Sequence, residues 1–130
     1  MRMTLTFALC INLLLACGQK HAGGHGSHEF DPLHKGHLIH VADHGPILEV
    51  VHDEAAGTAT LYVFDAHQKE KTIEKAPVLL IPGQKSPIPA TGKANVWVFS
   101  HAELKKHQHD MRIRITIDGK EFNPDWHPAH

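Results

Sequence analysis

The sequence predicts an all-β domain: an antiparallel β-sandwich, immunoglobulin-like by preference, with a small barrel as the alternative. Three observations carry this. Short runs rich in Val, Ile and Leu recur from His37 onward, separated by turn residues at regular spacing. The run "MRIRITI" alternates strictly, with Met111, Ile113, Ile115 and Ile117 on one face and Arg112, Arg114 and Thr116 on the other. It leads into Asp118-Gly119, the best two-residue hairpin signal in the chain.

Before the domain comes a leader. Arg2 precedes an apolar run from Leu5 to Ala16, too short to span a bilayer as a helix and laid out like a secretory signal peptide. The run ends in "LLAC", which resembles a bacterial lipobox. That likeness implies a lipoprotein signal peptide over residues 1–16 and a lipidated Cys17, whose acyl chains would hold the protein on a membrane. By resemblance to Gram-negative lipoprotein sorting, in which an aspartate after the cysteine favours the inner membrane, Gly18 implies the outer membrane facing the periplasm. Residues 17–33 read as a flexible tether, because "GQKHAGGHGSHEFDP" is rich in Gly, His and Ser and shows no apolar period. Residues 34–126 form the expected sandwich domain, and 127–130 a histidine-containing tail.

Within the domain, "HLIHVA" and "PILEVVH" are strand candidates separated by the turn "DHG". The turn "DEAAGT" precedes "TATLYVFD", which alternates and is rich in β-branched and aromatic residues. Val78 to Ile81 is the next candidate, with Pro77 marking its start or an edge position. "SPIPATGKA" reads as a link, "NVWVFS" as a strong strand, and "KEF" as the return after Asp118-Gly119. One segment departs from the β pattern. "SHAELKKH" offers a capping box from Ser100 to Glu103 and a run of helix formers, which predicts a short helix near residues 101–107.

Histidine is the compositional anomaly: 14 in 130 residues, with a net charge of −1. It is the commonest metal ligand and titrates near pH 6.5. No Lys/Arg block suggests nucleic-acid binding. Cys10 lies in the signal segment and Cys17 in the lipobox, so the domain has no disulfide or thiolate chemistry.

The stretch "HKGHLIHVADHG" can be read in two ways. As a helix capped by Asp31 and begun at Pro32, it would line up His34, His37, His40 and His44 on one face. Gly36, Ile39 and Val41 oppose that, and the strand reading is preferred. It sets His37 with Ile39 and Val41 on one face, and His40 with Leu38 on the other.

Candidate metal ligands in the domain are His37, His40, His52, His107, His109 and Met111. The last three would share a face at i, i+2 and i+4 if their strand began near His107, an imidazole–thioether set that suits copper. His21, His25, His28, His34, His127 and His130 form a weaker group in tether and tail, able to chelate copper, zinc or nickel with modest affinity. His52 beside Asp53 could serve as a base pair for catalysis, but no nucleophile motif accompanies it, and a non-enzymatic protein is expected.

Glu49, Val51, His52, Asp53, Gly57, Thr58, Thr60, Tyr62 and Asp65, with the later "TIDGKEF", resemble a group of bacterial secreted proteins and lipoproteins that join a His/Gly-rich leader to a small β domain. The leader is also similar to those of periplasmic adaptors of heavy-metal efflux pumps, although their long helical hairpin has no counterpart here. Secretion, the excess of histidine and the lack of thiols together predict a cell-envelope lipoprotein that binds or buffers copper, zinc or nickel through histidines, and the likeness to adaptor leaders implies a role accessory to metal homeostasis or efflux. The alternative is a protein-interaction module of the envelope, its histidines solubilising or pH-responsive. Its partners would be the membrane, through the lipid, and an envelope or efflux-system protein.

Overall fold

The computed structural model describes residues 30–107 and 110–128. They form ten strands: β1 (His37–His40), β2 (Ile47–Asp53), β3 (Thr58–Phe64), β4 (Val78–Leu80), β5 (Ile88–Pro89), β6 (Thr91–Lys93), β7 (Val96–Ser100), β8 (Met111–Ile117), β9 (Lys120–Phe122) and β10 (Asp125–Trp126). Pairing is antiparallel throughout and gives two sheets. One has the order β1-β2-β3-β7-β6, the other β10-β8-β4-β5, with β9 also on β8. Without β1, the first order is the A-B-E-D sheet of an immunoglobulin sandwich and β10-β8-β4 is its G-F-C sheet. β1 is therefore an extra edge strand laid beside the first sheet.

The local sequence explains most of these elements. In β8, Met111, Ile113, Ile115 and Ile117 are buried while Arg112 and Arg114 are exposed, as the alternation demands. Asp118 and Gly119 both take positive φ, 51° and 77°, which is the type I′ geometry of a tight hairpin. Ile117 accordingly pairs with Lys120. Beyond β9 the edge is interrupted at Asn123-Pro124. There the Pro124 carbonyl accepts from Ile113 N, and pairing with β8 resumes at β10.

Two expectations need correction. "SPIPATGKA" is more than a link: Ile88–Pro89 pairs with β4 and Thr91–Lys93 with β7, so the chain changes sheets at Ala90. Pro89 is tolerated because β5 is an edge strand. The helix near residues 101–107 is a single 3₁₀ turn, Ala102–Lys105, capped by His101 rather than Ser100. The His101 Nδ1 accepts from Glu103 N at 3.1 Å, and the turn sinks Leu104 into the core.

The core lies between the sheets. Leu48, Val50, Ala59, Leu61, Val63, Trp97 and Phe99 come from the first sheet and meet Leu79, the β8 residues and Trp126 from the second. Ile47, Glu49 and Phe64 alternate with these core positions and so belong to the outer face of the first sheet, yet they too are buried. The residues just before β1 cover Glu49 and Phe64.

Candidate functional site

Those covering residues, 30–36, form a strap held by one carboxylate. Glu49 lies between Leu38 of β1 and Tyr62 of β3 and is 0% exposed. Its Oε1 accepts from His34 N at 2.7 Å and Gly36 N at 2.9 Å. Its Oε2 accepts from Leu33 N at 3.2 Å and from the His34 ring Nδ1 at 3.0 Å. Burial pushes the Glu49 carboxyl up. The Gly36 amide, the His34 ring and the His34 amide outweigh that and hold it below its ordinary value.

The strap is also packed. The His34 ring lies flat on Tyr62, with centroids 3.7 Å apart and planes at 4°, and Phe30 stacks on His40 at 6.3 Å. Glycine is required at position 36, because a Cβ there would stand 2.7 Å from the Val50 carbonyl oxygen and 2.8 Å from Glu49 Cγ. Lys35 just before it takes a left-handed φ of 60°.

On the inward side of the same edge, a cleft of about 280 Å³ is lined by Lys35, His37, Val50, His52, Glu54 and Trp126 among others. His52 is fixed there: its Nε2 stands 2.8 Å from the Leu104 carbonyl, and its ring meets Trp126 edge-on at 5.5 Å. A carbonyl only accepts, so the His52 Nε2 carries the proton of that bond and Nδ1 keeps a lone pair in the neutral ring. Trp126 is 1% exposed, and its indole Nε1 has no hydrogen-bond partner among the described residues.

The structure brings His37 and His52 to one cleft and sets His40 and His107 apart from them. His37 and His40 lie at opposite ends of β1 and on opposite faces, as the strand reading required; the helical alternative for this stretch is not formed. His37 borders the cleft while His40 stacks with Phe30. β8 begins at Met111, so the alternation that would align His107 with Met111 does not extend back to it. His107 is exposed and Met111 is a fully buried core residue beside Trp126. His34 belongs to the clamp instead of a loose tether. His127 is exposed, its Nδ1 3.8 Å from Asp110 Oδ1. Asp53 faces away from its neighbour His52 and accepts from the Ala56 amide in the turn.

Among the described residues, no group of three or more His, Cys, Asp or Glu side chains is arranged to hold a metal ion. Cys17, His21, His25, His28, His109 and His130 lie outside the described residues. No helix among the described residues is long and apolar enough to cross a membrane.

Sequence reasoning named Glu49 only among the residues of a resemblance, without a role, and passed over Trp126, though Glu49 left a signal. It is the lone charge in the unbroken apolar run "PILEVV", and an unbroken run marks a strand covered on both faces. Comparison with known protein families, curated proteins and solved structures finds no match to this chain.

Proposed function

We propose that the chain is a lipid-anchored module of the cell envelope whose sandwich meets a protein partner through the outer face of its first sheet. The leader supports the anchoring half: an apolar run ending in "LLAC" with Cys17 as the acylated residue, on the periplasmic side of the outer membrane. At full extension the segment from Cys17 to Phe30 reaches roughly 45 Å, which keeps the domain near the lipid surface.

The observation that carries the interaction half is the Glu49 clamp. Four hydrogen bonds fix the root of the tether against one face of one sheet. Orientation matters to a domain that presents a face to a partner, and is of no use to an ion buffer. That same face bears Leu33, 60% exposed on the strap, and Val96 opposite Tyr62, the two exposed large hydrophobic residues of the described chain. A photo-crosslinking residue in place of Leu33, in the full chain in cells, tests this. A discrete heavier species should form from position 33 and not from Arg114 on the opposite sheet. No discrete species from position 33 would sink the reading.

A second reading, binding of copper, zinc or nickel, rests on the leader, where His21, His25 and His28 recur within a Gly-rich segment. Calorimetric titration of the full chain against a peptide of residues 18–33 decides it. Equal affinities place the metal on the leader alone, and no heat from either removes the metal reading.

A further inference from the structure

His52 is held in a way that strand pairing alone does not require. Its Nε2–H donates to the Leu104 carbonyl at 2.8 Å and its ring meets Trp126 edge-on, so the imidazole is fixed in tautomer and in plane. The lone pair of the neutral ring is left on Nδ1. Trp126 Nε1 is the only buried side-chain nitrogen or oxygen without a partner among the described residues, so the unpartnered His52 Nδ1 is reached by solvent. An imidazole whose N–H is tied to a backbone carbonyl while its other nitrogen stays open is the arrangement of a metal ligand oriented by its outer shell.

A second imidazole stands next to it. His37 of β1 pairs with Val50, and His52 lies two residues further along β2, on the same inward side of the sheet. Diagonal neighbours of this kind have Cα atoms about 7–8 Å apart. A metal–imidazole bond is about 2.0–2.1 Å long, so rings on two such positions can meet at one ion. Both residues border the same cleft. His52 supplies the fixed ligand, and His37, exposed at the start of an edge strand, supplies one free to turn towards it. Glu54 adds a carboxylate to the lining that offsets the charge of a cation. Lys35 is the one opposing charge, and its exposed side chain can hold the ammonium out in water.

We propose that His37 and His52 chelate a divalent transition-metal ion, copper(II) before zinc or nickel, in the cleft beside β1. Nδ1 is the ligating atom of His52. No three His, Cys, Asp or Glu side chains among the described residues are arranged around such an ion, so the site is an open one in which water takes the remaining positions. Copper(II) leads because it heads the affinity order of divalent ions for nitrogen ligands. The site is distinct from the leader histidines on which the metal reading above rests, and from the outer face of the first sheet.

The test uses the full chain in detergent micelles with His21, His25 and His28 all replaced by alanine, which removes the leader from the measurement. Copper(II) is titrated calorimetrically in a non-coordinating buffer, and one ion per chain should bind. His37→Ala should weaken binding at least tenfold. So should His52→Gln, whose side-chain amide keeps an N–H for the Leu104 carbonyl. His40→Ala, on the opposite face of β1, and Lys35→Ala should leave the affinity unchanged or, for lysine, raise it. Electron paramagnetic resonance of the one-to-one complex should show two nitrogen ligands, and one in the His37→Ala chain. No binding by the leader-substituted chain overturns the proposal and leaves the leader reading standing. Unchanged affinity in His37→Ala also overturns it, and remains decisive even if His52→Gln fails to fold. An equal loss in His40→Ala does the same, because it would mark diffuse binding by scattered histidines.

Discussion

Glu49 and Trp126 are both buried polar residues at one edge of the sandwich, and the fold treats them in opposite ways. Glu49 receives four donors, three of them backbone amides of the strap. The Trp126 indole receives no acceptor among the described residues. The carboxylate carries the larger desolvation cost, and the chain answers it by wrapping seven residues, 30–36, over it. The indole is cheaper to leave unpaired, and its nitrogen stays sealed from solvent although the residue borders the cleft. One is a completed structural contact and the other an incomplete one.

Removing the Glu49 contact should give the largest effect. Glu49→Ala leaves the Leu33, His34 and Gly36 amides and the His34 ring without their acceptor. The strap can swing into water and recover some of that loss, so we expect destabilisation of about 2–4 kcal/mol by urea denaturation. A loss under about 0.5 kcal/mol would mean that the strap adds nothing to the fold.

The same contact predicts the acid limb of stability. The Glu49 carboxyl is held below its ordinary value near 4.5, so the folded state binds this proton more weakly than the unfolded state. Its contribution is complete above that ordinary value and is lost as pH falls through the depressed one. Glu49→Gln should flatten this part of the stability–pH curve. A curve parallel to that of the unsubstituted protein would remove Glu49 as its source.

Next in size is Gly36→Ala. Its Cβ would press on the Val50 carbonyl and on Glu49 Cγ, and neither the strand nor the buried carboxylate can yield easily. An overpacking cost of about 1–3 kcal/mol follows. It should appear with faster amide exchange at Leu33 and His34 while β8 stays protected. Uniform loss of protection would show instead that strap and sandwich unfold as one unit.

The contrast also marks what could be read from the amino-acid sequence. β8 was legible because one of its faces is buried and the other wet, so Ile113 and Arg114 record the pleat directly. Asp118-Gly119 was legible because its turn type is a local steric choice. The opposite faces of His37 and His40 followed from strand alternation alone. β2 was harder. The strap covers its outer face, and Glu49 finds its donors 13 to 16 residues earlier in the chain, which no local pattern reports. β10 is two residues long, too short for alternation, so Trp126 looked like part of the approach to the tail. The metal candidates were chosen by residue type, and type does not reveal convergence. The fold sends His37 and His40 to opposite faces and Met111 into the core.

The smallest effect separates the two indoles. Trp97→Phe and Trp126→Phe each delete the same ring atoms, and on area alone Trp126, the more buried, should cost more. Hydrogen bonding acts the other way. Trp97→Phe breaks the bond to the Ala94 carbonyl, whereas Trp126→Phe removes a donor that had no partner. One net hydrogen bond is worth about 1 kcal/mol, and relieving an unsatisfied buried donor contributes in the same direction. Trp97→Phe should therefore be the more destabilising of the two by about 1 kcal/mol, read as a difference in urea midpoint at equal slope. The reverse order would mean that the Trp126 N–H is satisfied in the folded protein.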